Sequence, residues 1–410
     1  MNATTLTAEE LAPALPAVAG VEPRGPQAPI TSLPPLERRW SLRRTDADLA
    51  TLEKSLRLPG PLCRLLALRG YPIADDAKSF LKPRLEGLHD PFRLAGMDGA
   101  VARLERAIRS GETIVVHGDY DVDGICGATL YTRLLRRMDA RVVAFVPNRL
   151  RDGYDLTRAG VRAAADAGAG VILTADCGTV AHEAIAAAGS AGIDVIVTDH
   201  HTPGPELPAA YAVVNPNRPD CTYPDKGLAG AGVAFKLCQA LARARGVDAA
   251  ELWYFLDLVA VATIADLAPL TGENRIFARF GLQVLQQTRN RGLHALARSA
   301  KIDGSEPIAA GQVSHVLAPR INAVGRMGDA MRGVRLLLAD DDAEATRLAT
   351  EMERENDTRR AVDRDTLAQA LAMLERDYDP SRDYGIVLAA RGWHPGVIGI
   401  VASRVVEHVH

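Results

Sequence analysis

The sequence predicts an α/β protein with a parallel sheet that is covered by helices on both faces. Two observations support this prediction: short apolar segments with strand character recur along the middle of the chain, and alanine-rich segments with helical spacing separate them. Apolar runs that alternate with helices are typical of parallel strands, because crossover helices bury both faces of the sheet. The predicted strands are Thr113–His117, Arg141–Val146, Gly170–Thr174 and Ile193–Thr198.

The part of the chain before the first strand divides into a tail and a helical region. Residues 1–35 are rich in Ala, Pro and Thr without periodicity, which predicts a disordered tail. Residues 36–110 are predicted to be helical. A short helix should end at Gly70, and helical spacing relates Met97, Val101, Leu104 and Ala107.

The region from the first strand onwards is predicted to form one domain over residues 111–338, mostly helical after Gly227. Residues 339–378 are highly charged with little apolar stripe, so we expect a long, exposed connecting helix there. Tyr384–Ala390 is predicted to be a strand that begins a second α/β domain over residues 379–410. The chain stops in what looks like the first helix of that domain, which is therefore expected to be truncated.

The composition is that of an ordinary soluble protein of 410 residues, with 47% hydrophobic residues and a net charge of −3. The sequence shows no transmembrane run of about 18 apolar residues and no secretory signal. The five cysteines are scattered without Cys-x-x-Cys spacing. This pattern favours a reducing, cytoplasmic location and gives no support for a structural zinc site.

The net charge argues weakly against nucleic-acid binding. However, arginines crowd residues 133–162, where a nucleic-acid surface and a solvated helix face both fit the sequence.

Acidic and histidine residues lie at the ends of three predicted strands. The first strand leads into His117, Asp119, Asp121 and Asp123, the third into Asp176, and the fourth into Asp199-His200-His201. Because the carboxyl ends of parallel strands share one edge of the sheet, we expect the three groups to converge. Clustered carboxylates repel one another and are costly to bury, and a cation offsets that cost. Carboxylate and imidazole ligands suit Mn²⁺ or Mg²⁺.

Other interpretations of these residues remain open at this point. The Asp-x-Asp-x-Asp-Gly run resembles the start of a calcium loop, but Leu130 stands where that loop needs its Glu, and the run follows a strand rather than a helix. Asp176 taken alone would fit a helix N-cap. The adjacent histidines would fit a turn whose hydrogen bonds are satisfied locally.

The order His-x-x-x-Asp-x-Asp, then Asp, then Asp-His-His resembles the signature of the DHH phosphoesterase superfamily. This superfamily includes RecJ exonucleases, small oligoribonucleases, cyclic-dinucleotide phosphodiesterases and one class of inorganic pyrophosphatase. Further segments resemble the RecJ exonucleases in particular, over about residues 40–410 of the chain. They are Asp152–Asp155, Leu228–Lys236, Ala262–Asp266, Glu273–Arg275, Arg320–Arg326 and Gly392–Arg404.

The resemblance implies that two divalent ions, Mn²⁺ or Mg²⁺, are bound at the strand ends, with Asp176 between them. The implied ligands are Asp121, Asp123, Asp176, His200 and Asp266. Asp119 would serve catalysis by orienting this cluster from outside it. His117 matches a ligand of the pyrophosphatase branch, and a packed histidine is the alternative for it.

The resemblance also implies residues that contact the substrate. His201 would lie beside the scissile phosphate and stabilise its charge or assist the leaving oxygen. Arg320, Asn322 and Arg326 would contact phosphate oxygens, although a structural ion pair is an equal alternative for Arg320. Tyr154 is a candidate for stacking on a base, with an aromatic packed on its own turn as the alternative.

The implied function is a 5′→3′ exonuclease specific for single-stranded DNA, in repair and recombination, in which two ions activate a water and neutralise the phosphate. We expect a monomer that works with a single-strand-binding protein and a helicase, without a membrane partner. The alternatives are an oligoribonuclease or cyclic-dinucleotide phosphodiesterase, an inactive scaffold protein, and a chain that functions only within a larger protein. The long region before the first motif favours RecJ, and the retained carboxylates argue against a scaffold. RecJ exonucleases continue into a complete second α/β domain and an OB-fold-like domain, so weakened strand binding is expected here.

Overall fold

The structure is a computed structural model that describes residues 41–302 and 304–409. The predicted tail, residues 1–35, lies outside the described residues. Five parallel strands form one sheet in the order β2-β1-β3-β4-β5. They are β1 Thr113–Gly118, β2 Arg141–Phe145, β3 Ala169–Ala175, β4 Asp194–Thr198 and β5 Ala212–Val214. The predicted fold class and all four predicted strands are confirmed.

The middle of the sheet is formed by β1 and β3, which pair in register from Ile114 opposite Val171 to Gly118 opposite Ala175. The chain runs from β1 to β2 on one side and then crosses to β3 on the other side. This reversal makes the carboxyl ends of β1 and β3 a topological switch point, where the loops diverge and leave a crevice. The fold therefore provides a ligand site where the acidic residues follow the strands.

The strand β5 is not among the predicted strands. It contains only three residues and follows residues 203–208, in which three of six positions are proline. A run this short gives no readable periodicity, and the prolines before it indicate a loop. It extends the sheet beyond β4 through the register of Ile196 with Ala212 and Thr198 with Val214.

Helices cover both faces of the sheet and build the rest of the molecule. They are α1 Leu49–Leu56, α2 Gly60–Leu68, α3 Ala74–Leu81, α4 Met97–Ser110, α5 Val122–Arg137, α6 Arg158–Asp166, α7 His182–Ser190, α8 Gly230–Ala244, α9 Leu256–Ala265, α10 Gly272–Gln286, α11 Arg291–Ser299, α12 Ala310–Gln312, α13 Ala318–Met327, α14 Met331–Leu338, α15 Asp342–Asp377 and α16 Pro395–Val409. Short 3₁₀ helices occupy Leu85–Gly87, Pro91–Arg93 and Ala249–Phe255, and a π-helical turn occupies Val313–Leu317. None of the described helices is both long and apolar enough to cross a membrane.

The helix α5 lies at the centre of the core. Almost every residue from Val122 to Leu135 is buried, and the helix packs against β1, β2, α8, α9 and α14. Its first turn follows directly from the end of β1. The acidic residues of that turn are therefore held by the largest apolar core of the molecule.

The predicted long helix is confirmed as α15, but it is not exposed on all sides. Its buried residues recur at helical spacing between Ala345 and Leu374, and it packs against α11, α13, α14 and α16. The sequence conceals this buried stripe because its middle consists of the polar residues Asn356, Asp363 and Thr366.

The predicted strand Tyr384–Ala390 is wrong, since these residues belong to no strand. Tyr384 and Val387 are almost fully exposed, at 102% and 94%. Extended backbone becomes a strand only when it pairs with a neighbour, and no segment among the described residues pairs with it. The helix α16, which packs on α15, is the element of the predicted second α/β domain that does form.

Candidate metal centre

The first group of carboxylates lies between β1 and α5. The Asp121 side chain caps α5, because it accepts hydrogen bonds from the backbone N–H groups of Asp123 (2.9 Å) and Gly124 (3.1 Å). The cap turns Asp123 inward, where its side chain is 1% exposed. Only a glycine fits at position 124, since a Cβ there would lie 2.3 Å from the backbone nitrogen of Asp119. The tight turn thus places three carboxylates at one strand end.

Asp176, directly after β3, has a left-handed backbone with φ of 66°. This conformation costs a non-glycine residue about 1 kcal/mol or more and is enriched at functional sites. The side chain is 2% exposed, and its Oδ1 has no hydrogen-bond partner among the described residues. A Cβ on Gly230, in the first turn of α8, would lie 2.5 Å from that oxygen. The protein therefore holds an unsatisfied carboxylate oxygen in a strained and confined position.

The Asp-His-His turn follows β4. Asp199 is not directed towards the other carboxylates: its Oδ1 accepts from the backbone N–H groups of His200 (2.7 Å) and His201 (3.1 Å), and lies 2.7 Å from His201 Nδ1. Its Oδ2 accepts from the N–H of Thr179 at 3.0 Å. Burial would raise the pKa of Asp199, but the hydrogen bond and charge of His201 lower it to about 2. The same hydrogen bond raises the pKa of His201 to about 9.

The five predicted metal ligands converge. One group of ligand atoms comes from Asp123, His200 and Asp266 and another from Asp119, Asp121 and Asp176, each group lying within 4.8 Å. A third group, Asp176, His200 and His201, shares a residue with each of them. Asp266 reaches the first group from the end of α9. The two groups adjoin at His200 Nε2, which lies 3.1 Å from Asp176 Oδ1 and 3.8 Å from both Asp123 Oδ2 and Asp266 Oδ2. Asp119, which was expected outside the ligand set, lies as close as the ligands do.

The electrostatics of this cluster fit a bound cation. Burial and then the neighbouring Asp121 raise the pKa of Asp119 to about 8 and that of Asp266 to about 6. Burial and the other carboxylates also hold the pKa values of Asp123 and Asp176 well above normal. Asp119 Oδ1, Asp176 Oδ1 and His200 Nε2 are buried without a hydrogen-bond partner. Buried acceptors that lack donors and repel one another are the donor set that a hard divalent cation satisfies.

His117 does not join either group. It is fully buried beneath the cluster, and its Nδ1 lies 3.6 Å from Cys177 Sγ. Its Nε2 faces Gly160, on which a Cβ would lie 2.7 Å from that nitrogen. Burial lowers the pKa of His117 to about 4, which keeps the ring neutral. Its Nε2 is buried without a hydrogen-bond partner among the described residues, so the role of His117 as a ligand stays a prediction beside that of a packed histidine.

Two of the three predicted phosphate contacts lie near the cluster. Asn322 Oδ1 accepts from the backbone N–H of Val122 at 3.1 Å, so its amide lies at the turn that carries Asp121 and Asp123. Arg326 interacts electrostatically with Asp121, and burial followed by the neighbouring Arg149 lowers its pKa. Its guanidinium donates one long hydrogen bond, to the carbonyl of Gly396 at 3.3 Å.

Arg320 is placed differently. Its Nε and Nη2 bind both carboxylate oxygens of Glu353 at 2.5 and 2.9 Å, and its Nη1 donates to the carbonyl of Val316 at 2.7 Å. The side chain is 9% exposed. Such a bidentate pair occupies the guanidinium, so the structural ion pair that the sequence allowed is the arrangement present.

Tyr154 lies above the cluster, with its hydroxyl 3.4 Å from His201 Nε2. The residue is 52% exposed, and its ring meets the edge of Tyr120 with centroids 5.8 Å apart. The loop is fixed to the end of β3, because Asp155 Oδ1 accepts from the backbone N–H of Gly178 at 2.6 Å. Arg149 lies over the other aromatic ring, with Cζ 5.1 Å from the Tyr120 centroid.

Four residues of this site have no role assigned from the sequence. Asp199 belongs to the Asp-His-His motif itself. Because His201 follows it by two residues, the sequence could have predicted that the two side chains are hydrogen-bonded. Tyr120, Arg149 and Asp155 lie next to predicted residues, but their placement depends on how the loop after β2 folds back over β1 and β3. No local pattern in the sequence encodes that return.

The fold and the site together define an α/β protein with a carboxylate and histidine centre for divalent cations at the carboxyl edge of a parallel sheet. The profile of the DHH family, N-terminal domain, matches residues 113–263, from β1 into α9. The single-stranded-DNA-specific exonuclease RecJ of Bacillus subtilis is 40% identical over 376 residues, which cover 91% of this chain and 46% of that protein. The RecJ of Escherichia coli is 38% identical over 389 residues, 92% of this chain and 66% of that protein.

Solved structures of RecJ exonucleases are also similar to this chain. A crystal structure of exonuclease RecJ bound to manganese superposes with a TM-score of 0.71 and 39% identity, covering 80% of both chains. RecJ of Thermus thermophilus in complex with Mn²⁺ gives a TM-score of 0.75 and 36% identity, over 88% of this chain and 50% of the other. The chain belongs to the RecJ family of DHH proteins. It spans about half to two thirds of the length of the two bacterial relatives above.

Proposed function

We propose that this chain carries the catalytic centre of a single-strand-specific DNA exonuclease, which removes nucleotides from the 5′ end with the help of two divalent cations. The observation that carries the proposal is the pair of adjoining ligand groups joined at Asp176 and His200. The relatives named for this activity, at 38–40% identity over nine tenths of the chain, support the choice of substrate.

The proposed cations are Mn²⁺ or Mg²⁺. Relatives have been solved with either ion, and the oxygen and imidazole donors present here suit both. Asp123, His200 and Asp266 would hold one ion, and Asp121, Asp176 and Asp119 the other. Two ions bound together would lower the pKa of a water and neutralise charge on the phosphate.

The protein's own residues would position the substrate. The Asp199–His201 pair keeps His201 protonated and its Nε2 directed away from Asp199, so that this edge can donate to a phosphate oxygen. Arg326 and Arg149 place guanidinium groups on the side of α13, where they would bind backbone phosphates. Tyr154 and Tyr120 offer an aromatic wall beside the cluster on which an unpaired base would stack.

The partners expected from the resemblance, a single-strand-binding protein and a helicase, and the monomeric state stay predictions. The proposal concerns single-stranded DNA as the substrate, because the ligand groups, the guanidinium groups and the aromatic rings lie beside one another. Exposed rings suit unpaired bases, whose faces are free to stack.

The proposal is tested with single-stranded DNA labelled at the 5′ end or at the 3′ end, in the presence of Mn²⁺. The expected result is release of the 5′ label first, as mononucleotides, with duplex DNA of the same sequence left intact. Asp176→Asn should abolish release, while Asp166→Asn, which removes an exposed carboxylate on α6, should not.

Each of the other possible results would contradict a different part of the proposed function. Cleavage of a dinucleotide, a cyclic dinucleotide or pyrophosphate without cleavage of DNA would keep the metal centre and reject the substrate. Loss of the 3′ label first would reject the polarity. No hydrolysis of any of these substrates by a protein that binds Mn²⁺ would reject the catalytic role of this chain on its own.

A further inference from the structure

The polar middle of α15 forms a buried ion cluster beside the metal centre. Asp363 is 2% exposed, and its Oδ2 lies 3.2 Å from Nη1 of Arg404 on α16 and 3.9 Å from Nη1 of Arg359. Arg359 is nearly buried, and its Nη2 donates to Oδ1 of the fully buried Asn356 at 3.1 Å. A single carboxylate therefore holds guanidinium groups from two helices.

The same cluster adjoins the substrate side of the metal centre. Burial lowers the pKa of Arg359, and the like charges of Arg360 and Arg326 lower it further; Arg326 is itself attracted by Asp121 and by Asp363. The first turn of α16 lies close to Arg326. The Gly396 carbonyl accepts a hydrogen bond from the Arg326 guanidinium, and a Cβ at Gly396 would lie 2.2 Å from the Arg326 carbonyl oxygen. A row of cationic side chains thus leads away from Asp121 through Arg326 and Arg359 to Arg404.

The charges in this row are not balanced within the described part of the protein. Arg359 and Arg404 share the carboxylate of Asp363, no other described acidic group forms an ion pair with either of them, and no described acidic group forms an ion pair with Arg326. Asp363 Oδ1 and Arg359 Nε are buried without a partner. Buried charges are costly unless they are paired, so the surplus of positive charge is best suited to a polyanion lying along the row.

We propose that Asp363 is a positioning residue for strand binding: it fixes Arg404 and Arg359 beside Arg326, so that α15 and α16 bind backbone phosphates beyond the one that is cleaved. The inference rests on the proposed function and deepens it, since it gives the connecting helix a part in holding the strand. Asp363 itself touches no substrate. It acts through the two guanidinium groups that it orders.

Whether Asp363→Asn weakens or strengthens DNA binding distinguishes this positioning role from simple charge repulsion. Replacing an acid by a neutral residue normally strengthens binding to DNA, because it removes a repulsive charge. If Asp363 orders Arg404, Asp363→Asn has the opposite effect, since a phosphate contact is lost together with the repulsion. Asp365→Asn, an exposed position on the same helix, gives the charge effect alone.

The test measures binding of a fluorescent oligothymidylate over a range of KCl concentrations in an Asp176→Asn background, which prevents cleavage. We expect Asp363→Asn to weaken binding by about tenfold and to reduce the slope of log K against log salt by about 0.7, the value for one phosphate contact with a single strand. Arg404→Gln should do the same, and the double variant should be no weaker than either single variant. Asp363→Glu should restore most of the slope.

Enzyme kinetics with Asp176 intact give the second readout. The KM for single-stranded DNA should rise in Asp363→Asn while kcat stays within about twofold, because the scissile phosphate and the metal ligands are untouched. If Asp363→Asn does not fold, Arg404→Gln decides the matter, since that side chain is 43% exposed. A lowered melting temperature with unchanged slope and KM would overturn the inference. Absence of binding by the parent protein would contradict the proposed function instead.

Discussion

Asp199 Oδ1 lies 2.7 Å from His201 Nδ1, and the same oxygen accepts the backbone N–H groups of both histidines in the turn. One carboxylate therefore fixes the turn and orients the ring whose other nitrogen faces Tyr154. We therefore predict that Asp199 acts in catalysis through His201, without contact to a cation.

Asp199→Asn tests that role. The amide oxygen can still accept from the backbone N–H groups of His200 and His201, but the amide NH2 cannot accept from the Thr179 N–H, and the neutral group no longer stabilises a protonated His201. We expect kcat for single-stranded DNA to fall by about 10- to 100-fold while Mn²⁺ affinity stays near that of the parent, because Asp199 belongs to none of the candidate ligand groups. The measurements are steady-state kinetics and Mn²⁺ titration calorimetry. An unchanged kcat, or equal losses of activity and Mn²⁺ binding, would contradict the assignment.

The confinement of Asp176 by α8 gives a prediction about a glycine. In Gly230→Ala the new Cβ would lie 2.5 Å from Asp176 Oδ1, so either the carboxylate or the helix must move. We expect Mn²⁺ affinity and DNA cleavage to fall by about tenfold or more. Gly232→Ala is the matched control, because its Cβ would meet neighbours no closer than 3.6 Å. Parent-like Mn²⁺ binding in Gly230→Ala would mean that Asp176 is not confined as described.

Tyr154 offers two chemical groups, and substitutions separate them. The hydroxyl lies 3.4 Å from His201 Nε2, a long contact, whereas the ring is half exposed beside the metal centre. We expect Tyr154→Phe to retain the parent KM and Tyr154→Ala to raise it about tenfold, since stacking on a base contributes about 1–3 kcal/mol. Tyr211→Ala, at an exposed tyrosine before β5, is the control. Equal KM values for Phe and Ala at position 154 would exclude stacking.

The burial of Asp257, which belongs to none of the ligand groups, leads us to expect that the stability of the protein depends on pH. It is buried at the start of α9, accepts hydrogen bonds from Thr288 Oγ1 (2.5 Å) and from the Leu258 N–H (2.7 Å), and burial raises its pKa to about 6. The unfolded chain releases this proton near pH 4 and the folded chain near pH 6. The contribution of Asp257 to the free energy of unfolding should therefore fall by about 3 kcal/mol as the pH rises from 4 to 6, and stay level above that.

Asp257→Asn removes this titration, and the amide can still accept from Leu258 and donate to the Thr288 hydroxyl. Denaturant unfolding of parent and variant with EDTA, at several pH values, gives the difference in the free energy of unfolding between them. The parent should lose stability relative to the variant as the pH rises from 4 to 6. A difference that does not change with pH would show that Asp257 keeps an ordinary pKa.

The sequence predicted the sheet and the convergence of its carboxylate and histidine residues because both depend on local signals. Apolar runs marked β1 to β4, and the parallel arrangement then placed Asp121, Asp176 and His200 at one edge without further information. Asp266 was different: no strand end marks it, and the family resemblance alone carried it into the cluster.

The structure departs from the sequence-based expectations, or decides between them, where contacts between distant segments matter. Arg320 looks like a phosphate ligand until Glu353 is seen to occupy it. Tyr384–Ala390 has strand character but no partner strand among the described residues. The buried stripe of α15 is hidden because Asp363 is paired with Arg404, which lies 41 positions further along the chain. Patterns within one segment cannot reveal such pairings.

The most direct test of the account is the number of Mn²⁺ ions that one chain binds at saturation, measured by equilibrium dialysis with metal analysis. The two ligand groups predict two ions per chain, falling to at most one in Asp176→Asn, because Asp176 lies at their junction. Two ions in the parent and one or none in the variant would support a single two-ion centre. One ion in the parent, or two ions that Asp176→Asn does not disturb, would contradict it.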